Sequence, residues 1–200
     1  MNEQKSPLRG LVRPVLVSAA FFMGLTGLAY PLAVTGIAHL LFPHQAHGSL
    51  VERGDTVVGS EVLGQAFTAP AYFHPRPSLT ADTPYNAAAS GASNLGPTSR
   101  KLIDAVAERV AAYRRENGLA DDVQVPVDAV TASASGLDPD ISLANAYLQA
   151  ARVARSRHLP EARVRELVDR SAASHQFGVL GEPRVNVLQL NAALDALPAQ

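Results

Sequence analysis

The sequence predicts a single N-terminal transmembrane helix followed by one helix-rich α+β domain with a small sheet. Three observations lead to this fold class. No Asp, Glu, Lys or Arg occurs from Pro14 to Val51. Several later segments carry apolar residues at helical spacing, and short Val-rich runs lie between turn-forming residues. A length of 200 residues suits one ordinary domain plus an appendage.

The uncharged run predicts a transmembrane helix over residues 14–42. A membrane-spanning helix needs about 20 mainly apolar residues, and this run is longer. Lys5, Arg9 and Arg13 precede it, so residues 1–13 are expected in the cytoplasm and residues 43–200 outside. The alternative is a cleaved signal peptide, which has an apolar region of about 7–15 residues and a small-residue cleavage site. The run is longer than that, and no such site stands at its outer end.

The predicted membrane helix carries small residues on one face. Ala20, Gly24 and Gly27 are three or four positions apart, which favours close packing against a partner helix. The alternative is that Gly and Pro are simply common in membrane helices. Pro31 cannot donate a backbone hydrogen bond, so the helix is expected to bend between Gly27 and Pro31.

Composition excludes several classes of function. Cysteine is absent, which rules out disulfides, thiolate metal sites and cysteine catalysis. The net charge is −1, so no overall basic field favours nucleic acid as a partner. His39, His44 and His47 lie close together in sequence, but their spacing does not match a structural metal site. We interpret them as polar residues at the membrane surface.

The outer domain should combine helices with short strands. Strands are expected at Thr56–Gly59, at Val62–Phe67 and, from alternating valines, at Val123–Val127. The stretch from residue 77 to 99 is expected to form a long surface loop, and the C-terminal segment "RVNVLQLNAALDALPAQ" is expected to open with a short strand-like entry before the last helix. Four buried helical stripes are predicted: Ile103, Val106, Val110 and Tyr113; Ile141, Ala144, Tyr147 or Leu148, and Ala151; Val164, Leu167 and Val168; and Val187, Leu190, Leu194 and Leu197. Pro97 suits the first turn of the first of these helices, and Gly118 suits its end.

Two similar strings rich in Ser and Gly stand in this domain, "NAAASGASNLGPTS" at Asn86–Ser99 and "TASASGLDPDIS" at Thr131–Ser142. In the second, Asp138 is expected to cap a helix whose first residue is Pro139, with Asp140 in the first turn. Two carboxylates there would repel a phosphate, and neither string contains Lys or matches a phosphate-binding loop. The first string can be a capping loop or an anion site at a helix start.

A serine hydrolase is the other chemistry that these residues allow. Ser90, Ser93, Ser133 and Ser135 are candidate nucleophiles, and His74, His158 and His175 are candidate bases. The motif G-x-S-x-G is absent from the sequence. A membrane-anchored extracytoplasmic enzyme therefore stays as the alternative to a non-catalytic role.

The ordered set of strings resembles the C subunits of Kdp-type potassium-transporting ATPases. The strings that carry the resemblance include "YPLAVTGIAHLLFPHQAHGSL", "SGASNLGP", "VTASASGLDPDIS" and "EPRVNVLQLNAALD", in the family's order and spacing. The resemblance extends over about residues 12–197. The resemblance implies a non-catalytic accessory subunit of a bacterial, ATP-driven, high-affinity potassium uptake pump in the inner membrane. The implied partners are a channel-like potassium-binding subunit, a P-type ATPase subunit and a small peptide subunit.

The resemblance also implies that the chain is a catalytic chaperone, which raises the ATP affinity of the ATPase subunit. ATP binding, and nucleotide binding in general, is part of what the family resemblance implies. ATP is cytoplasmic, whereas the predicted topology leaves only residues 1–13 on that side. Coupling to ATP would then pass through the partner subunits. We therefore expect no cofactor on this chain, with ATP and potassium handled by the complex, and neither catalytic nor metal-binding residues.

Under the resemblance, the Ser- and Gly-rich strings become shaped loops that fold the domain and dock it on the channel-like subunit. The residues expected in these loops are Tyr85, Asn86, Ser90, Gly91, Ser93, Asn94, Gly96, Ser133, Ser135, Gly136, Asp138 and Pro139. Small residues allow the close backbone approach that such docking needs.

Overall fold

A computed structural model describes residues 7–198 of the chain, with side chains from Gly10 onward. The chain divides into two units, one up to Leu50 and one from Val51 onward. The second unit combines helices with two small sheets, which confirms the predicted α+β fold class. Lys5, on which the predicted orientation partly rests, lies outside the described residues.

The first unit is dominated by one long apolar helical stretch. It comprises helix α1 at Pro7–Gly24, a π-helical segment at Leu25–Ala29 and helix α2 at Tyr30–Leu41, followed by the short helix α3 at Pro43–Ala46. Residues Gly10–Leu41 have a mean hydropathy of 1.7 over the apolar window and are long enough to cross a membrane. This agrees with the predicted helix, while the bounds 14–42 and the sidedness stay predictions.

The helix is irregular where the sequence predicts it. The amide of Tyr30 donates to the carbonyl of Leu25, one residue further back than in an α-helix. Pro31 follows immediately and has no amide hydrogen to donate. The backbone therefore widens into a π turn at Leu25–Ala29, just before Pro31, and this turn overlaps the region from Gly27 to Pro31 where a bend is predicted.

The described residues of the second unit form five helices and five strands, counting the short elements and including all of β1, which begins at Leu50. In chain order they are β1 Leu50–Arg53, β2 Thr56–Ser60, a 3₁₀ turn Ala87–Ala89, α4 Arg100–Asn117, α5 Val127–Val130, β3 Asp140–Ser142, α6 Leu143–Arg157, α7 Glu161–Ser171, β4 Ala172–Ala173, β5 Arg184–Asn186 and α8 Val187–Asp195. Strands β1 and β2 pair with each other, and β5 lies between β3 and β4. Both pairings of β5 are antiparallel, with Val185 opposite Ile141 and Ala172.

The core of the second unit lies between α6, α7, α8 and strand β5. Its fully buried members include Val153, Val164, Val185 and Leu190. The predicted inward faces of α7 and α8 are confirmed, since their stripes are buried except for the partly buried Leu197. The extended segment before the first string adds Phe73, whose side chain is fully enclosed. Burying these apolar side chains supplies the main stabilisation of the unit.

Two predicted strands are absent. Residues 62–67 are irregular after a turn at residues 61–62, and their hydrogen bonds go elsewhere: Gly64 donates to the carbonyl of Leu137, and the Gln65 side chain to that of Val58. The Val123–Val127 strand is also wrong, because Arg114 donates to the carbonyl of Val123 and α5 starts at residue 127. An apolar or alternating sequence does not by itself form a strand, and neither run has a neighbouring strand to pair with.

The predicted start of α6 is wrong. Asp140–Ser142 pair with β5 and stay extended, so the helix begins at Leu143. Ser142 is the residue that caps it, accepting a hydrogen bond from the amide of Asn145 at 3.1 Å. Asp138 instead accepts from the amide of Asp140 at 3.0 Å, which makes a local turn. Pro139 therefore precedes a strand rather than opening a helix.

The buried face of α6 also differs from the predicted stripe. Ala144 is exposed, whereas Ala146, Ala150 and Val153 are buried. The prediction counted helical spacing from Ile141. Ile141 is buried, but it belongs to strand β3, so its position does not indicate which face of α6 is buried.

Helix α4 matches its prediction in part. Gly118 ends it in the left-handed conformation, as expected, with a φ of 67°. Pro97 lies ahead of the first turn, since the helix begins at Arg100. Tyr113 is buried, as predicted. Ile103 was also predicted to be buried, but its side chain is 49% exposed.

Candidate functional site

The two Ser- and Gly-rich strings lie against each other. The amide of Gly91 donates to the carbonyl of Ser135 at 2.9 Å, and the hydroxyl of Ser90 donates to the same oxygen at 3.0 Å. Within the second string, the hydroxyls of Ser133 and Ser135 accept from the amides of Gly136 and Leu137. We call the two strings, Asn86–Ser99 and Thr131–Ser142, the paired loops. The hydroxyls of Ser90, Ser133 and Ser135 are thus hydrogen-bonded to the backbone of the loops themselves.

Gly136 is required where the paired loops approach most closely. Its φ is 68°, a conformation that glycine adopts with little strain. A Cβ atom at this position would lie 2.7 Å from the Thr80 Cγ2 atom and 2.9 Å from the carbonyl oxygen of Gly91. Any side chain here would push the two strings apart.

A third segment, residues 76–85, is hydrogen-bonded to the second string. The hydroxyl of Ser78 donates to the carbonyl of Gly136 at 2.7 Å and accepts from the amide of Tyr85 at 2.8 Å. The hydroxyl of Tyr85 donates to the carbonyl of Arg76 at 2.6 Å. Burial, followed by the nearby charge of Asp138, raises the pKa of Tyr85 far above its ordinary value, so this hydroxyl keeps its proton.

Asp138 and Pro139 tie the second string to the rest of the unit. The Asp138 Oδ2 atom accepts from the Arg76 Nη1 atom at 2.6 Å, with both side chains about three-quarters covered. The carbonyl of Pro139 accepts from the amide of Val187 at the start of α8. The sequence suggested neither contact, because both partners are distant along the chain.

The end of the first string is more exposed than its start and makes fewer contacts with the second string. Asn86 accepts from the amide of Ala88 and so opens the 3₁₀ turn. Ser93, Asn94 and Gly96 are exposed and make only local turn contacts, with Asn94 at a φ of 52°. The structure therefore brings the first part of this string into the paired loops and leaves residues 93–96 at the surface.

A cleft of about 390 Å³ lies beside the paired loops, between α4 and the segment from Ala66 to Tyr85. Within it, the His74 Nδ1 atom lies 2.7 Å from the Glu116 Oε1 atom. The hydrogen bond from His74 lowers the pKa of the Glu116 carboxyl, against a smaller opposite effect of burial. The other ring nitrogen of His74 lies 3.0 Å from the carbonyl of Ala69.

This geometry does not bring together the serine and histidine that the hydrolase hypothesis needs. Among the described residues, the hydroxyls of Ser90, Ser93, Ser133 and Ser135 hydrogen-bond to backbone atoms or to each other, none of them to a histidine. A serine nucleophile needs a base within hydrogen-bond reach. In the cleft, the Glu116 carboxylate and the His74 imidazole already contact each other.

Sequence analysis missed a set of buried polar side chains that fix the wall of the cleft. Asn191 accepts from the amide of Phe73 at 2.9 Å and donates to its carbonyl at 3.0 Å. Gln149 makes the same paired contacts with His74, at 2.7 and 3.0 Å. Each amide side chain thus replaces a strand partner for one residue. Their only signal in the sequence is their position on the core faces of α6 and α8.

Arg152 continues this polar set into the interior. It is 5% exposed, and it donates to the side chains of Asn117 and Gln149 and to the carbonyls of Pro70 and Tyr72. All four acceptors are neutral, and burial lowers the pKa of this guanidinium. The hydrogen bonds satisfy the buried cation and lock the segment that follows Ala69.

The small residues of the apolar helix are open to contact. Ala20 and Gly24 lie in α1, and Gly27 lies in the π-helical segment. A Cβ atom at Gly24 or Gly27 would meet nothing within 4 Å. The packing of this face against another helix stays a prediction.

The histidines after the apolar helix were considered as metal ligands. The His47 ring contacts the carbonyl of Pro43, and within residues 7–198 no group of three His, Cys, Asp or Glu is arranged to hold a metal ion.

Comparison with known proteins identifies the family. The family model described as "KdpC: K+-transporting ATPase, c chain" matches residues 12–196. Curated relatives named "Potassium-transporting ATPase KdpC subunit" include one from Variovorax paradoxus, 57% identical over 96% of this chain and 99% of the relative. Another from Allorhizobium ampelinum is 55% identical over 94% and 97%, and one from Mycobacterium bovis is 54% identical over 95% and 100%. The chain therefore belongs to the KdpC family, the c chains of K⁺-transporting ATPases.

Proposed function

We propose that this chain is a non-catalytic accessory subunit that assembles and stabilises an ATP-driven potassium uptake pump. The observation that carries the proposal is the family match over residues 12–196, which includes both the apolar helix and the folded unit. The hydroxyls of Ser90, Ser133 and Ser135 hydrogen-bond to the backbone of the paired loops, which supports a structural role for these loops. Their hydroxyls serve the fold, and the loops thereby hold a fixed shape for a protein partner.

The proposed partners are the channel-like potassium-binding subunit, the P-type ATPase subunit and the small peptide subunit. The paired loops would contact the channel-like subunit, and the face formed by Ala20, Gly24 and Gly27 would contact a membrane helix of the pump. ATP and potassium would be handled by those partners. A rise in ATP affinity caused by this chain would then be a shift in the conformational equilibrium of the ATPase subunit.

The proposed location is the bacterial inner membrane, with a single crossing and the folded unit outside the cytoplasm. Support comes from the apolar helix Gly10–Leu41 and from Arg13 near its start. The chain has no cysteine, so one engineered cysteine is a unique label. In spheroplasts, Ala120→Cys should react with an impermeant thiol reagent and Glu3→Cys should not. The reverse pattern would overturn the topology.

The test of the proposed function is purification of the tagged full-length chain from membranes that also contain the other pump subunits. We expect the channel-like and ATPase subunits to be recovered with it in fixed proportion. Recovery of the chain by itself, from membranes in which the other subunits are present and stable, would overturn the proposal. A membrane-anchored enzyme would behave in that way.

A further inference from the structure

The imidazole of His74 lies between two hydrogen-bond acceptors. Its Nδ1 atom is 2.7 Å from the Glu116 Oε1 atom, and its Nε2 atom is 3.0 Å from the carbonyl oxygen of Ala69. An ionised carboxylate and a carbonyl accept hydrogen bonds and donate none, and a neutral imidazole has only one N–H group. The neutral ring therefore satisfies one of these oxygens and points a lone pair at the other. The imidazolium has two N–H groups and satisfies both.

The backbone that carries this ring is fixed, whereas its acidic partner is not. The amide and the carbonyl of His74 are both hydrogen-bonded to the side chain of Gln149, which is 1% exposed. The His74 side chain is 19% exposed, but that of Glu116 is 41% exposed. Glu116 is also the second-last residue of α4, which ends at Asn117. When the ring loses its second proton, Glu116 is thus the partner that is free to move into water.

The other titratable groups around this pair keep one charge state near neutral pH. Besides His74 and Glu116, those that line the cleft are Arg76, Tyr85, Arg109 and Tyr113. Arginine stays charged in proteins, and burial raises the pKa of both tyrosines, so their hydroxyls keep their protons. The hydrogen bond from His74, followed by the charges of His74 and of Arg152 on α6, lowers the pKa of Glu116 against the effect of burial. Histidine is the residue that changes charge between about pH 5 and 8, so His74 sets the charge of the cleft in that range.

We propose that His74 and Glu116 form a proton-controlled clasp, which joins α4 to the segment from Ala66 to Tyr85 when His74 is charged and releases it when His74 is neutral. The clasp goes beyond the proposed function, because it is a property of the folded unit and needs no partner subunit. The segment that carries His74 continues to Ser78, whose hydroxyl donates to the carbonyl of Gly136 in the paired loops. In the proposed topology, the clasp would link the pH of the extracytoplasmic solution to the wall of the cleft beside these loops.

Both charges of the clasp exist together only over a limited pH range. The pKa of the Glu116 carboxyl is lowered, so its stabilisation is present above the unfolded-state pKa and is lost as pH falls through the folded-state value. On the other side of the range, the attraction is lost as pH rises and His74 gives up its second proton. We therefore expect a closed clasp in mildly acidic solution and an open clasp in alkaline solution.

The first experiment measures Tm of the full-length chain in detergent at about pH 5.5 and about pH 8.5, on either side of the range in which histidine titrates. Glu116→Gln removes the charge and keeps an accepting oxygen. It should lower Tm by about 2–4 °C at the acidic pH and by about 1 °C or less at the alkaline pH. The control Glu108→Gln makes the same change at an exposed residue of the same helix, and it should leave Tm unchanged at both pH values.

His74→Asn completes a double-mutant cycle, because it removes the titrating ring. In this background, Glu116→Gln should change Tm equally at the two pH values. An equal effect of Glu116→Gln at both pH values in the wild-type background would overturn the clasp. A pH-dependent effect that persists in the His74→Asn background would overturn it as well.

The second experiment measures the release directly. The chain has no cysteine, so spin labels at Thr68→Cys and Ala112→Cys, two exposed residues that line the cleft from the segment and from α4, report the distance between its walls. The distance distribution should be narrow at about pH 5.5 and broad at about pH 8.5. With Glu116→Gln it should be broad at both pH values. A distribution that is the same at both pH values in the chain with His74 and Glu116 intact would overturn the proposed release.

Discussion

Gly136→Ala tests whether the paired loops depend on close backbone contact. Two costs should add. A left-handed φ costs an alanine roughly 1–2 kcal/mol. The new methyl group would also lie 2.7 Å from the Thr80 Cγ2 atom and 2.9 Å from the carbonyl of Gly91, and such overpacking costs about 1–3 kcal/mol. We expect a total loss of about 2–5 kcal/mol in the free energy of unfolding.

Gly118→Ala is the matched control. Its φ of 67° is nearly the same, but the nearest atom to an added Cβ is the Arg155 Nη2 atom at 3.6 Å, an ordinary contact. It should therefore lose only the strain, roughly 1–2 kcal/mol. For a unit of this size each kcal/mol lowers Tm by about 2–4 °C. Thermal unfolding of the full chain in detergent, followed by circular dichroism, measures both variants. Equal Tm losses would refute the reasoning, because the loops would then tolerate the methyl group.

Three further predictions concern other parts of the chain. Asn191→Leu should cost about 1–3 kcal/mol for each of the two backbone groups of Phe73 that lose their partner, measured by denaturant unfolding. Gly24→Leu should reduce recovery of the chain with the pump and leave the melting of the folded unit unchanged; unchanged recovery would place this face against lipid. Burial raises the pKa of Asp195, but hydrogen bonds from Arg157, Arg53 and Tyr72 bring it below its usual value. Its stabilisation is therefore present above the unfolded-state pKa and is lost as pH falls through the lower folded-state value, so Asp195→Asn should flatten the acid limb of a stability–pH curve.

The parts of the fold that could be predicted from sequence are those with a local cause. The apolar helix follows from uninterrupted hydrophobicity, and its irregularity follows from the missing amide hydrogen of Pro31. Helices α7 and α8 follow from apolar spacing that stays in phase along each helix. The end of α4 follows from Gly118, because glycine readily adopts the left-handed φ found there.

The parts that could not be predicted depend on contacts between distant residues. Ser90 and Ser135 are 45 positions apart, and Asn191 and Phe73 are 118 apart. Asp138 illustrates the consequence. Its local sequence is typical of a helix cap, but pairing of residues 140–142 with β5 delays the helix, and Asp138 pairs with Arg76 instead. Tertiary hydrogen bonds here override a good local signal.

The central claim is that this chain acts on the pump through its partner subunits and performs no chemistry itself. It is tested most directly by measuring potassium-stimulated ATP hydrolysis against ATP concentration for the purified pump, with and without this chain. We expect the chain by itself to hydrolyse no ATP, and its removal from the pump to raise the KM for ATP or abolish the activity. An unchanged KM and rate without the chain, or ATP hydrolysis by the chain alone, would contradict the account.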